Sequence, residues 1–413
     1  MIAISLAPNF ETKDALLALK QLFLPWRWRK GTANQRLVAK LQAILGRKEI
    51  YTVNSARWGL YLLLQNLRLE KDTEVLLQAF TCVSVPGPVL WNNLKPVYVD
   101  ILERELTMDP LDLERKITAK SRVIIVQHTF GIPARMDEIM TIAKKHNLIV
   151  IEDCAHTLGG KHRDKLLGTI GDASIFSFGR DKAISSVFGG AIMVNNQKVF
   201  TSIKSAVAEL PLSKNGWVLQ QLMHPILFEL IIKPLYFTAQ IGKIKLVFAQ
   251  KVGLLSKAIA SHEKSGGKPA FECAKLSNAL AELACFQLSR LEAFNARRRE
   301  IVEIYNKELH QSGFDGQSLL RYPIFVDEPR KLLLAARKEK ILLGDWYEVI
   351  APKDTDLKAV QYVAGSCPVA ESVAKREINL PTYYTLKNSD LKKIVEFTLR
   401  TVPKVNGYFR DSP

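Results

Sequence analysis

Two runs in this chain leave little choice of fold. Val123-Ile124-Ile125-Val126 and Leu148-Ile149-Val150-Ile151 are apolar and largely β-branched. A strand with one wet face alternates apolar and polar residues. A strand that reads apolar throughout is covered on both faces, as in a parallel sheet. Between the two runs, residues 136–146 carry apolar side chains at helical spacing. Strand, helix and strand in that order form a parallel βαβ unit. The pattern recurs. Residues 33–48 and 58–67 read as helices, and 49–53, 75–77, 96–100, 122–128, 148–153, 173–178 and 191–194 as strands. The expected fold is α/β, with a mostly parallel central sheet in a large domain over residues 1–260. A smaller C-terminal α/β domain is expected over 261–413, with the loop Ser265-Gly266-Gly267-Lys268-Pro269 near its start. There, 276–309 reads as one long helix with Arg297-Arg298-Arg299 on its solvent face.

Open parallel sheets place their sites beyond the carboxyl ends of the strands. Asn54, His128 and Asp153 fall at such ends. After Val150-Ile151-Glu152-Asp153-Cys154-Ala155-His156 come Ser177-Phe178-Gly179-Arg180-Asp181-Lys182 and the pair Gly189-Gly190. An acid at a strand end, a lysine in a turn and a glycine pair suit pyridoxal 5'-phosphate. Its aldehyde needs an amine, which Lys182 offers. Its ring nitrogen needs a carboxylate to hold a proton, which Asp153 offers. The plainer alternatives are a surface lysine and a turn-capping aspartate.

Charge narrows the partners. Lys+Arg 58 against Asp+Glu 41 gives +17. This favours anionic ligands: a phosphorylated cofactor, a nucleotide-linked substrate or an anionic membrane surface. No recognised nucleic-acid module appears. Five widely spaced cysteines and no CxxC pair argue for reduced thiols, a cytoplasmic protein and no metal site. The first residues lack the basic and long apolar regions of a signal peptide.

Residues 216–255 are apolar, with Pro225 and Pro234 as helix breaks, but no run of about eighteen uncharged apolar residues exists. A buried or dimer-interface helix is one reading and an interfacial membrane helix the other. Pro25-Trp26-Arg27-Trp28-Arg29-Lys30 pairs indoles with cations and could grip a diphosphate or a headgroup layer. A peripheral contact at the inner face of the membrane therefore stays open.

The ordered landmarks carry a resemblance. They are Asn54-Ser55-Ala56-Arg57, Phe80-Thr81-Cys82, Pro96-Val97-Tyr98-Val99-Asp100, the Asp153 and Lys182 motifs, Gln287-Leu288-Ser289-Arg290-Leu291 and Asn379-Leu380-Pro381-Thr382. From about residue 45 to 385 the chain resembles the DegT/DnrJ/EryC1/StrS aminotransferases, a sugar-aminotransferase branch of the fold-type I pyridoxal phosphate enzymes. The resemblance implies that Lys182 bonds the cofactor and Asp153 faces its ring nitrogen. His156 stands where the family carries Gln or His, near the ring. Ser177 would bond the phosphate, with the backbone of Ser55, Ala56, Arg57 and Trp58 at a helix N-terminus. Ser55 is equally an ordinary N-cap. The family's Ser-Gly-Thr-Ala is Ser-Ala-Arg-Trp here, which loses a hydroxyl and gives Arg57 a chance to add charge. Cys82 replaces a common aromatic ring. His128 would line the substrate pocket, and loops around 25–32 and 340–350 would select the sugar. The implied protein is a homodimer that moves an amino group, from a donor such as glutamate, to a nucleotide-linked keto-sugar in glycan biosynthesis. Two alternatives remain. One is a sugar dehydratase of the same fold, although such relatives carry His where this chain has Lys182. The other is a non-catalytic cofactor-binding regulator, suggested by the altered turn and Cys82.

Overall fold

The computed structural model describes residues 2–4, 8–236 and 241–402. Residues 403–413 of the expected small domain, 237–240 of the apolar stretch, and 1 and 5–7 of the leader reading lie outside the described residues.

A seven-stranded sheet is the frame. Its strands are β1 (Ile50–Val53), β2 (Glu74–Gln78), β3 (Lys95–Val99), β4 (Ser121–Gln127), β5 (Ile149–Asp153), β6 (Ala173–Ser177) and β7 (Gly190–Val194). The order across the sheet is β1-β7-β6-β5-β4-β2-β3. Neighbours from β6 to β3 run parallel. Only β7 is antiparallel to its neighbours β6 and β1.

The near-continuous apolar runs are explained by where their side chains go. In β4, Val123 and Ile125 enter one core, and Ile124 and Val126 enter another on the opposite face. In β5, Ile151 and Val150 divide in the same way. Helices cover both faces. Ala33–Leu45 is α1, Ala56–Asn66 is α2 and Met136–Lys145 is α3. Leu60, Leu63 and Leu64 of α2 join the first core, while Met136, Ile139 and Ile142 of α3 join the second. With both faces dry, the working groups are left to the strand ends.

C-terminal to the sheet, β8 (Arg321–Phe325) pairs antiparallel with β9 (Glu377–Pro381). Tyr322, Ile324 and Leu380 from this pair belong to the same core as Ile125 and Leu60.

Three expectations need correction. Residues 276–309 are two helices, α4 (Asn278–Leu288) and α5 (Leu291–Glu308), separated at Ser289 and Arg290. Three consecutive arginines cannot share one helix face, because successive residues turn by about 100°. Arg297 and Arg299 pair with Glu300 and Glu292, but Arg298 is 1% exposed and points inward. Its Nη1 donates to Asn295 Oδ1 at 2.9 Å and its Nη2 to the Ala183 carbonyl at 2.9 Å. Pro225, expected as a break, lies inside the helix Asn215–Leu227. The chain continues through a wide π turn at Phe228–Ile232, the kind of turn that absorbs a missing amide donor.

Candidate active site

The carboxyl ends of β1, β5 and β6 open on one cavity of about 200 Å³. Ser55, Ala56, Arg57, Cys82, Asp153, His156, Ser177 and Lys182 all line it. The structure thus brings together eight of the ten residues singled out from sequence.

Trp58 and His128 are elsewhere. Trp58 is buried, its indole donating to the Phe271 carbonyl at 3.1 Å. His128 is fully buried, with Nε2 3.1 Å from Glu152 Oε2 and Nδ1 accepting from Ala134 N–H at 3.2 Å. Side chains alternate along a strand, so Gln127 takes the cavity side and His128 the other. Among the described residues, His128, Glu152 and Cys154 come close enough to share an ion. Glu152 already accepts from three backbone amides, of Gly168, Ile170 and Gly171, as well as facing His128. Structural hydrogen bonding accounts for that cluster.

Asp153 and Lys182 face each other electrostatically in the cavity wall. Burial raises the Asp153 carboxyl pKa, against the amide of Ala155 and the charge of Lys182. Asp153 Oδ1 accepts from Ala155 N–H at 2.9 Å. Burial pushes the Lys182 amine down from its ordinary value, opposed by Cys82 and Asp153 and aided by Arg321. A lowered pKa enlarges the neutral fraction of the amine, which is the nucleophilic form.

His156 has a defined protonation state. Its Nδ1 accepts from Phe130 N–H at 3.1 Å, and its Nε2 lies 2.8 Å from the Tyr347 hydroxyl. Burial, with Lys182 and Arg321 nearby, holds the imidazole well below its usual pKa. The neutral ring then carries its proton on Nε2 and donates to Tyr347. Tyr347 therefore keeps its own phenolic proton for another acceptor. Phe130, His156 and Tyr347 lie nearly parallel, with interplanar angles of 9° and 8° to Phe130.

The Ser55–Arg57 side of the cavity differs from the sequence expectation in one respect. Ser55 caps α2, its Oγ accepting from Trp58 N–H at 3.4 Å. Arg57, however, is ion-paired to Glu263, and its Nη2 donates to the Ala258 carbonyl at 2.8 Å. Its charge is already engaged. The neighbouring cation is Arg180, which the motif contained but sequence reasoning gave no role. Arg180 lines the cavity, donates to Ser256 Oγ, and has a buried Nε with no partner among the described residues. Burial lowers its pKa to about 10.

Sequence reasoning also missed Trp346 and Tyr347, which line the cavity from the 340–350 loop. An aromatic pair directly after Gly344-Asp345 was the available signal. The 25–32 loop contributes no lining residue. Arg321, 1% exposed, stacks 3.8 Å above the Trp346 ring, and Lys182 Nζ lies 5.7 Å from the same ring.

Residues 11–219 and 251–398 match the model of the DegT/DnrJ/EryC1/StrS aminotransferase family. The chain belongs to that family. It is a pyridoxal phosphate-dependent aminotransferase. Its relatives include GDP-perosamine synthase of Escherichia coli O157:H7, 26% identical over 414 residues and 98% of each chain. Spore coat polysaccharide biosynthesis protein SpsC of Bacillus subtilis is 24% identical over 89% of each chain. Among solved structures, Helicobacter pylori PseC, an aminotransferase in pseudoaminic acid biosynthesis, aligns with a TM-score of 0.74 at 19% identity, covering 97% of this chain and 99% of that one.

The cavity of this aminotransferase fits the cofactor on its own evidence. Arg180 lines the cavity, and its buried Nε has no partner among the described residues. A Cβ at Gly190 would lie 2.6 Å from Ala56 N, so the glycine lets β7 pass the first turn of α2. Cys82, where an aromatic ring is common in the family, brings its Sγ to within 3.4 Å of Ser84 Oγ. It leaves the aromatic wall to Trp346 and Tyr347.

Proposed function

We propose that this aminotransferase passes an amino group from an α-amino acid such as glutamate to a nucleotide-linked keto-sugar. It would do so as a cytoplasmic homodimer, in the biosynthesis of surface polysaccharide or another glycan. The observation that carries this reading is that Lys182 and Asp153 line the same cavity, with burial lowering the pKa of the amine. The sugar substrate is supported by the relatives named for perosamine and spore coat polysaccharide synthesis.

Lys182 and Asp153 would hold the cofactor's reactive carbon and ring nitrogen, and Ser177, Arg180 and the first turn of α2 its phosphate. Pyridoxal phosphate supplies the aldehyde that takes up the amino group and the ring that accepts electron density. The protein's part is proton handling and orientation. Lys182, its pKa lowered by burial, would take and return the proton at the substrate carbon. Asp153, shielded from water, holds a proton on the ring nitrogen. His156 fixes the Tyr347 hydroxyl so that its proton points away from the imidazole. Arg321, stacked on the Trp346 ring outside the cavity lining, would hold that indole in the wall.

Glutamate added to the purified holoenzyme should shift the bound cofactor's absorbance from the aldehyde-type to the amine-type band. Lys182→Ala should slow amino transfer by about 10²–10⁴-fold, the range for a positioned acid–base group. A Lys182→Ala protein that aminates keto-sugars at the wild-type rate would overturn the assignment.

A further inference from the structure

Residues 220–250 lie outside the family match, so the shared chemistry does not account for them. They include the turn Phe228–Ile232 and all but the last residue of a helix, α-ins (Ile241–Lys251). Both pack on a small core of their own, made of Phe228, Ile232, Ala249 and Leu255. The opposite side is open. Ile241, Ile244 and Phe248 recur at three- and four-residue spacing and share one face of α-ins. Ile244 is 64% exposed and Phe248 65%, and Leu230, Val247 and Val252 beside them are exposed too. A contiguous apolar patch of this kind marks a surface that is covered in use.

Charge selects the cover. Residues 230–262 contain five lysines and no Asp or Glu. Lys233 pairs with Glu229. Lys243, Lys245, Lys251 and Lys257 are exposed and form no ion pair among the described residues. A second copy related by a two-fold axis would set this face against itself, lysine near lysine, with no acid in the segment to answer them. An anionic headgroup layer answers both features. Apolar side chains enter to the acyl boundary, while lysines extend to the phosphates. No described helix is long and apolar enough to cross a membrane, so the contact lies on the surface.

We infer that α-ins and its flanking turns dock this protein on an anionic phospholipid bilayer. The chain runs on from the patch to Ala258 and Ile259, which line the cavity.

The test uses the full-length holoenzyme and flotation with two vesicle types, phosphatidylcholine alone and phosphatidylcholine with phosphatidylglycerol. Binding is expected to the anionic vesicles only, with release by salt. Ile244→Glu with Phe248→Glu should abolish flotation. Lys→Gln at 243, 245, 251 and 257 should weaken it roughly five-fold per lysine. Glutamate-driven amino transfer in solution should be unchanged in both variants, which separates this inference from the activity assignment. Circular dichroism checks folding, and the lysine set carries the test if the apolar pair fails to fold. Equal binding to neutral vesicles, or to neither kind, overturns the inference. So does a glutamate variant that converts dimer to monomer in a wild type that ignores vesicles, because that identifies a second copy as the cover.

Discussion

Arg57 gives the sharpest test of how the pocket is built. It stands where the resemblance expects a small hydroxyl residue, yet its guanidinium reaches Glu263 and the Ala258 carbonyl. The side chains of this pair are 12% and 5% exposed. Glu263 also accepts from Ala260 N–H at 2.8 Å, so the same carboxylate gathers the strap that carries Ala258 and Ile259 along the cavity. Arg57→Met removes the cation and leaves a mostly buried carboxylate with one amide partner. Removing one member of a buried pair costs about 3–5 kcal/mol. Partial exposure of Arg57 places this case near the lower end, about 3 kcal/mol. That free energy is about a hundred-fold in an opening equilibrium.

Hydrogen exchange by mass spectrometry reads it directly. Amides in peptides covering residues 258–263 should exchange about a hundred-fold faster in Arg57→Met, with sheet peptides such as 149–153 unaffected. Adding Glu263→Gln removes the stranded charge and should recover about 1–2 kcal/mol, the coupling expected for contacting residues. Protection in 258–263 that stays within about three-fold of wild type, or two effects that simply add, would refute the pairing as the anchor of the strap.

Two further outcomes follow from the geometry. Gly190→Ala places a Cβ 2.6 Å from Ala56 N, where backbone must give way. It should cost about 1–3 kcal/mol in urea unfolding and weaken pyridoxal phosphate binding measured by equilibrium dialysis; unaltered values in both would sink the cradle argument. His224 is fully buried and held well below the usual imidazole pKa, chiefly by burial and then by Arg180. The unfolded chain protonates this ring below about pH 6.5 and the folded protein does not. Its contribution is therefore complete above that pH and declines as pH falls, by up to about 1.4 kcal/mol per pH unit. The raised pKa values of buried Asp153 and Glu377 act in the opposite sense, so the slope is read as wild type minus His224→Gln between pH 7.5 and 5.5. Parallel curves would count against it.

What could be read from the chain alone depended on whether a residue's partner was local. The sheet was legible because burial on both faces writes itself into consecutive residues, as Val123 to Val126 show. Asp153 and Lys182 were legible because strand ends and glycine-bounded turns are local events. His128 was not, because whether a strand-end side chain faces the cavity depends on the register of the neighbouring strands. Gln127, one residue earlier, took the cavity side. Arg57 lost its expected part, and Arg180 went without one, for the same kind of reason. Glu263 meets Arg57 across 206 positions of sequence and Ser256 meets Arg180 across 76, so no motif window contains either pair. The apolar stretch was visible as composition, but composition cannot say which side of a helix is covered. Burial of Ala249 and exposure of Phe248, adjacent in sequence, supply that missing fact. Together with the lysines, they turn a choice between an internal interface and a lipid surface into an argument for the lipid.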